Sequence, residues 1–212
     1  VDIEWIDSET VSSDTAAEVL AGCDGILIPG GFGSRGIEGK IAAAKYAREH
    51  NVPYFGICLG MQTAIIEYAR DVLGWADANS GEFDPSSAHK VIDFLPDQSD
   101  SVDKGGTLRL GAYPCKIVPG TRMSECYGEE LISERHRHRY EFNNDFRDAL
   151  TAAGLKISGM SPDGHIVETV ELPGNDFFVG VQFHPEFKSR PTRPHPLFLG
   201  LVRAACGEKT KK

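Results

Sequence analysis

Cys58 stands between two glycines in the run Gly56-Ile57-Cys58-Leu59-Gly60. The run joins an apolar, strand-like segment, Tyr54 to Ile57, to a segment with helical spacing, Leu59 to Leu73. G-x-C-x-G at such a junction is the sulfur counterpart of the G-x-S-x-G nucleophile elbow, where glycines permit a sharp turn that exposes the side chain above a sheet. The helix N-terminus just beyond is expected to lower the thiol pKa and favour thiolate. A buried structural cysteine is the alternative, and the paired glycines at a strand-to-helix junction weigh against it. A nucleophilic cysteine needs a base. Among seven histidines, His184 follows the apolar stretch Phe177 to Phe183 and precedes Pro185-Glu186. Residues two apart on an extended segment point the same way, so Glu186 is placed to fix the tautomer of His184.

A second glycine-rich loop suggests different chemistry. Ile26-Leu27-Ile28 feeds Gly31-Phe32-Gly33-Ser34-Arg35-Gly36, a literal G-x-G-x-x-G. A dinucleotide site needs an acidic residue at the end of the next strand to hold the ribose. Cys58 stands there instead, and Pro29 interrupts the approach to the turn. In a chain with 23 glycines one match carries little weight. No phosphate loop is present either, since Gly39-Lys40 is followed by Ile41 and lacks the upstream glycine.

The elements that must position these residues alternate. Val1 to Ile6 reads as an edge strand, and Ser13-Asp14 as the cap of a short helix, Ala16 to Ala21. Asp24 to Pro29 reads as a buried strand, Gly39 to His50 as a helix, Tyr54 to Ile57 as a strand and Leu59 to Leu73 as a helix. Strand and helix alternating with short connections predict an α/β fold, a mostly parallel central sheet with helices on both faces. Asn79 to Ser101 reads as a long irregular connection around one strand, Val91 to Phe94. Leu108 to Val118 alternates like a strand. Arg135 to Tyr140 is a basic stretch before a turn at Asn143-Asn144. Lys156 to Met160, Ile166 to Leu172 and Phe177 to Val181 read as strands, and Pro196 to Ala205 as a closing helix.

With 212 residues and 41% hydrophobic content, the chain suits one well-buried domain. A formal net charge of −9 makes nucleic acid or an anionic membrane an improbable main partner. No apolar run approaches a membrane span and no signal-peptide pattern opens the chain. Five cysteines without C-x-x-C spacing suit reduced thiols in a cytoplasm. The start in a strand-like segment suggests a domain cut from something longer.

Gly-Ile-Cys-Leu-Gly-Met-Gln (residues 56–62) with a downstream Phe-His-Pro-Glu (residues 183–186) resembles the signature of triad-type (class I) glutamine amidotransferases. Within them, PGGFGSRG (residues 29–36), GGTLRLG (Gly105 to Gly111), ERHRHRYE (Glu134 to Glu141) and QFHPEFKSRP (residues 182–191) resemble the flavodoxin-like glutaminase domains of CTP synthases, from Glu4 to about Ala205. The resemblance implies that Cys58 attacks the side-chain amide of glutamine, that His184 shuttles protons and that Glu186 orients it. It makes the backbone amides of Gly31 and Leu59 an oxyanion hole, where glycine lets N–H groups approach closely. It gives Gln62 and Glu82 the polar groups of the substrate, Glu82 suiting the ammonium. Arg139 takes the carboxylate, and Phe32 flanks the ligand. Gly105 to Gly111 resembles the family's lid, implicated in activation by GTP.

By the same resemblance, residues 1–206 are the amidotransferase domain and residues 207–212 a charged tail. The chain needs no metal or cofactor of its own, because ATP, Mg and UTP belong to a synthase (amidoligase) domain absent from it. The full-length protein is expected to be a cytoplasmic homo-oligomer, a tetramer. Two other readings stay open: a γ-glutamyl peptide hydrolase of the same architecture, and a non-catalytic regulatory module.

Overall fold

A computed structural model describes residues 1–94 and 109–207. Among them, ten strands and six α-helices follow in chain order. These are α1 (Ala16–Val19), β1 (Ile26–Ile28), α2 (Ile37–His50), β2 (Tyr54–Ile57), α3 (Leu59–Asp71), β3 (Asn79–Ser80), β4 (Lys90–Phe94), β5 (Arg109–Ile117), α4 (Arg122–Tyr127), β6 (Leu131–His138), β7 (Tyr140–Phe142), α5 (Arg147–Ala152), β8 (Lys156–Met160), β9 (Val167–Glu171), β10 (Phe178–Val181) and α6 (Pro196–Ala205).

One sheet runs β1-β2-β10-β9-β8-β5-β6 and a smaller one runs β3-β4-β7. The α/β architecture is as expected, but the large sheet is mixed. Parallel pairing is confined to β1, β2 and β10, and the remaining neighbours pair antiparallel. The physical reason lies in the connections. Helices α2 and α3 follow β1 and β2 and supply crossovers, whereas β8, β9 and β10 are joined by tight turns that can only reverse the chain.

The parallel corner carries two cores, one on each face. Tyr54 and Phe178 stack at 4.3 Å beneath α2 and α3. Phe55, Ile57, Val179 and Val181 point the other way, against Leu197 and Leu201 of α6 and Met123 of α4. Alternate residues of one strand thus serve opposite faces. Every residue of α3 from Leu59 to Ala69 is buried, as befits a helix roofed by α2. Its one buried acid, Glu67, is paired with Arg48 of α2 at 2.6 Å.

Three expectations need correction, and one stretch left without an element acquires one. Val1 to Ile6 forms no strand: the alternation is there, but no sheet edge lies alongside and Trp5 is 89% exposed. Helix α1 ends at Val19 and has no side-chain cap; Ser12 and Thr15 bond to each other instead of Ser13-Asp14 capping it. The basic stretch Arg135 to Tyr140, assigned no element from the sequence, forms the second half of β6 and the start of β7, hidden from pattern reading because it alternates Arg with His rather than polar with apolar. The Asn79 to Ser101 connection contains a short strand, β3, paired with β4. Its residues 95–101, the Gly105–Leu108 part of the glycine-rich segment and tail residues 208–212 lie outside the described residues.

Close approach of α3 to the sheet rests on two glycines of the elbow. A Cβ on Gly56 would lie 2.6 Å from the carbonyl carbon of Gly60, and one on Gly60 would collide with the carbonyl oxygen of Ile28 in β1. Both obstacles are backbone and cannot rotate away. Gly60→Ala should therefore cost about 1–3 kcal/mol of stability, read as a lower urea midpoint at unchanged m-value. An unchanged midpoint would show that α3 does not sit this close.

Candidate active site

The chain leaves β2 at Ile57 and must start α3 at Leu59, so the whole reversal falls on Cys58. Its backbone adopts φ 52°, ψ −100°, a left-handed conformation that costs on the order of 1–3 kcal/mol for a residue with a Cβ. The amide of Cys58 bonds to Val181 O of β10 at 2.7 Å and its carbonyl accepts from Gln62 N of α3, so strand and helix both hold the turn. This is the geometry of a nucleophile elbow.

The expected depression of the thiol pKa is not found. Burial pushes the Cys58 thiol up to about 12; the Leu59 N–H and the Gln182 amide pull it down, while Glu186 and Glu82 push it further up. The helix terminus does supply donors, but at 3% exposure the sulfur has lost too much water for them to compensate. The resting nucleophile is a neutral thiol, and a base must remove its proton.

His184 is that neighbour. It follows β10 at the head of a 3₁₀ turn, Pro185–Phe187, and its amide is bonded to Arg135 O of β6 at 2.8 Å. Its Nδ1–H donates to Glu186 Oε1 at 2.6 Å. That leaves Nε2 as the acceptor nitrogen, buried and without a hydrogen-bond partner among the described residues. Gly30 shows how close the ring comes to the cysteine. A Cβ at that position would lie 2.7 Å from His184 Cε1 and 3.5 Å from Cys58 Cβ.

Cys58 opens into a cavity of about 400 Å³ that also receives Gly31, Phe32, Gln62, Glu82 and Arg139. Leu59 lies beneath, its side chain meeting the α-carbon region of Gly31. Six of the nine residues singled out from the sequence line this cavity, while His184 and Glu186 stand beside Cys58 and Leu59 lies against Gly31, outside its lining. Glu82 accepts a hydrogen bond from Gly33 N–H at 3.3 Å, which ties it to the glycine loop. Arg137, His138 and Tyr140 line the same space and were not anticipated. The Arg137 guanidinium stands 5.5 Å from the Phe32 ring centroid. The Arg-His-Arg-His alternation carried the signal, since along a strand it sends one residue type to each face.

The inward members of that alternation build a buried polar cluster against the cavity, with His138 reaching its lining. Arg109 pairs with Glu168 at 2.6 Å. His136 and His138 share a hydrogen bond of 2.8 Å, and His138 Nδ1 lies 3.4 Å from Glu141 Oε1. Burial lowers the histidines to about 2 and about 3, and raises the Glu141 carboxyl to about 8. Burial thus keeps both imidazoles neutral and pushes Glu141 toward its protonated form.

The glutamine amidotransferase class-I family matches residues 1–204. The chain belongs to this family. It is 60% identical over its whole length to a CTP synthase of Carboxydothermus hydrogenoformans, covering 39% of that protein. It is likewise 60% identical to a CTP synthase of Staphylococcus aureus, covering 40% of it. The chain thus spans about two fifths of the length of these curated relatives. Among solved structures it resembles the glutaminase domain of Trypanosoma brucei CTPS with bound acivicin. The TM-score is 0.92 at 44% identity, over 99% of this chain and 82% of that one. The amidotransferase fold and glutamine amidotransferase activity follow from this membership.

The amidotransferase's buried cluster sets a pH dependence of stability. An unfolded glutamate titrates near 4.5, so the raised Glu141 binds its proton more tightly when folded. Its contribution is complete below about pH 4.5 and is lost as pH rises to about 8. Glu141→Gln should make the fall in melting temperature across that window shallower. Identical slopes in variant and parent would contradict a protonated Glu141.

Proposed function

We propose that this chain hydrolyses L-glutamine to glutamate and ammonia through a thioester on Cys58, and passes the ammonia to a synthase (amidoligase) domain that aminates UTP to CTP. The observation that carries the proposal is the pairing of a strained, buried cysteine with a Glu186-oriented histidine at a cavity furnished with one acid, Glu82, and two arginines, Arg137 and Arg139. His184 Nε2 takes the thiol proton as Sγ attacks the side-chain carbonyl carbon. The oxyanion forms beside the N–H groups of Gly31 and Leu59. Collapse breaks the C–N bond, and the imidazolium returns the proton to the departing ammonia. Water, deprotonated by the same nitrogen, then cleaves the thioester and releases glutamate.

Glu82 and Arg139 read the ammonium and carboxylate of the free amino acid, with Phe32 alongside. Gln62 has both hydrogen-bond donations of its amide committed inside the protein, to Tyr140 O at 3.0 Å and Gln182 Oε1 at 3.2 Å, so it offers substrate its carbonyl oxygen. A degenerate module is disfavoured by the intact cysteine, histidine and carboxylate, and a γ-glutamyl peptide hydrolase is separated by whether free glutamine yields ammonia. ATP, Mg and UTP are assigned to the synthase domain. The GTP effect is assigned to the glycine-rich segment, of which Arg109 to Gly111 are described. A homotetramer is carried from the resemblance alone. A cytoplasmic setting is supported by five cysteines that are all unpaired.

Ammonia release from free glutamine is the test. Cys58→Ala should abolish it with the fold intact. His184→Ala should lower the rate on the order of 10²–10⁴-fold, and Glu186→Gln should lower it less. If Glu186→Gln proved the worse of the two, the roles would be misassigned. Arg139→Ala removes a charge-assisted contact of roughly 1.5–3 kcal/mol, so KM should rise at least tenfold. An unchanged KM would remove Arg139 from the substrate site. Adding the synthase domain with its nucleotides should raise kcat, whereas equal rates with and without it would favour a free-standing glutaminase.

A further inference from the structure

Gln182 follows β10 directly, two residues before His184, and is fully buried. Its backbone N–H donates to Glu168 O of β9 at 2.8 Å, which fixes where the side chain starts. The side chain ends at the nucleophile, with Nε2 3.5 Å from Cys58 Sγ. Its other end is spoken for. Gln182 Oε1 accepts from Gln62 Nε2 at 3.2 Å, and the same Nε2 donates to Tyr140 O at 3.0 Å. A primary amide has one acceptor end and one donor end. Because Gln62 presents a donor, the Gln182 amide cannot turn its oxygen to the sulfur without opposing two donors and losing a buried hydrogen bond.

We infer that Gln182 is a positioning residue for the nucleophile: its amide N–H, oriented by Gln62, holds the Cys58 sulfur toward the cavity and favours the thiolate as His184 withdraws the proton. Neutral S–H needs no such donor, since sulfur accepts weakly. Thiolate does, and the buried Gln182 amide joins the Leu59 N–H in supplying one. The hydrogen bond strengthens as negative charge develops, which is where a donor assists reaction. The contact also completes a chain from the Arg139-Tyr140 segment, through Gln62 and Gln182, to the sulfur. The backbone beside the arginine that reads the substrate carboxylate is thus two side chains away from the reacting atom. The inference deepens the glutaminase reading and rests on it, but its test needs no glutamine.

The experiment measures the rate at which iodoacetamide alkylates Cys58 in the full chain, as a function of pH, by peptide mass spectrometry. The variants are Gln182→Met and Gln182→Glu. Methionine keeps length and volume without a donor. Glutamate keeps the acceptor for Gln62 but turns an oxygen to the sulfur, so it serves if the methionine variant does not fold. Alkylation at a fixed pH below the thiol midpoint should fall roughly tenfold or more in either variant, with the profile displaced to higher pH. The kcat/KM for glutamine should fall by a similar factor through kcat, with KM little changed. An alkylation profile that superimposes on the parent's in the folded variants would overturn the inference, as would a loss of activity that follows melting temperature while the profile stays put. Failure of the glutaminase reading would show separately, as ammonia release that survives in Cys58→Ala.

Discussion

Cys58 is buried so deeply that desolvation outweighs every donor aimed at its sulfur, and the rest of the site is arranged around that fact. A thiol held near pKa 12 is useless as a nucleophile unless a base is fixed against it. His184 meets this need because three separate elements converge on it. Strand β10 delivers the residue, β6 holds its backbone through Arg135 O, and Glu186 sets its tautomer. Gly30 leaves the gap in which ring and cysteine meet. Burial also brings a benefit. A neutral thiol resists oxidation and stray alkylation, and becomes reactive when a substrate occupies the cavity and the proton moves.

The same economy of placement shapes the wall opposite. Strand β6 turns arginines outward and histidines inward, so one strand provides cations near the cavity and a buried polar layer behind them. Arg109 and Glu168 pair inside that layer, and burial pushes the Glu141 carboxyl toward its protonated form. The like charges that oppose reaction at the sulfur are Glu186 and Glu82, which raise the thiol pKa.

The elbow was legible because its constraints are local. Glycines at 56 and 60 are dictated by backbone contacts with α3 and β1, and the Cys58 turn by a strand ending one residue before a helix begins. His184 and Glu186 do meet, but not by the extended-chain spacing expected: Pro185–Phe187 is a 3₁₀ turn, and it is this turn that brings the carboxylate back to Nδ1. What could not be read was non-local. The antiparallel half of the sheet depends on which edges meet, and β6 is recognisable only once its inward histidines find Arg109 and Glu141. The thiol pKa was misjudged because a helix start can be seen in sequence whereas depth of burial cannot. Gln182 went unremarked because its role exists only through Gln62, 120 residues away in the chain.

The central claim is that one cysteine, made reactive by its neighbours and by the substrate it faces, carries the chemistry. It is tested most directly by incubating the chain with an electrophilic glutamine analogue and locating the adduct by mass spectrometry. A single adduct on Cys58, absent in His184→Ala on the same timescale and suppressed by excess glutamine, is the result expected. Labelling of Cys23, Cys115, Cys126 or Cys206 in preference to Cys58, or labelling that glutamine does not suppress, would contradict it.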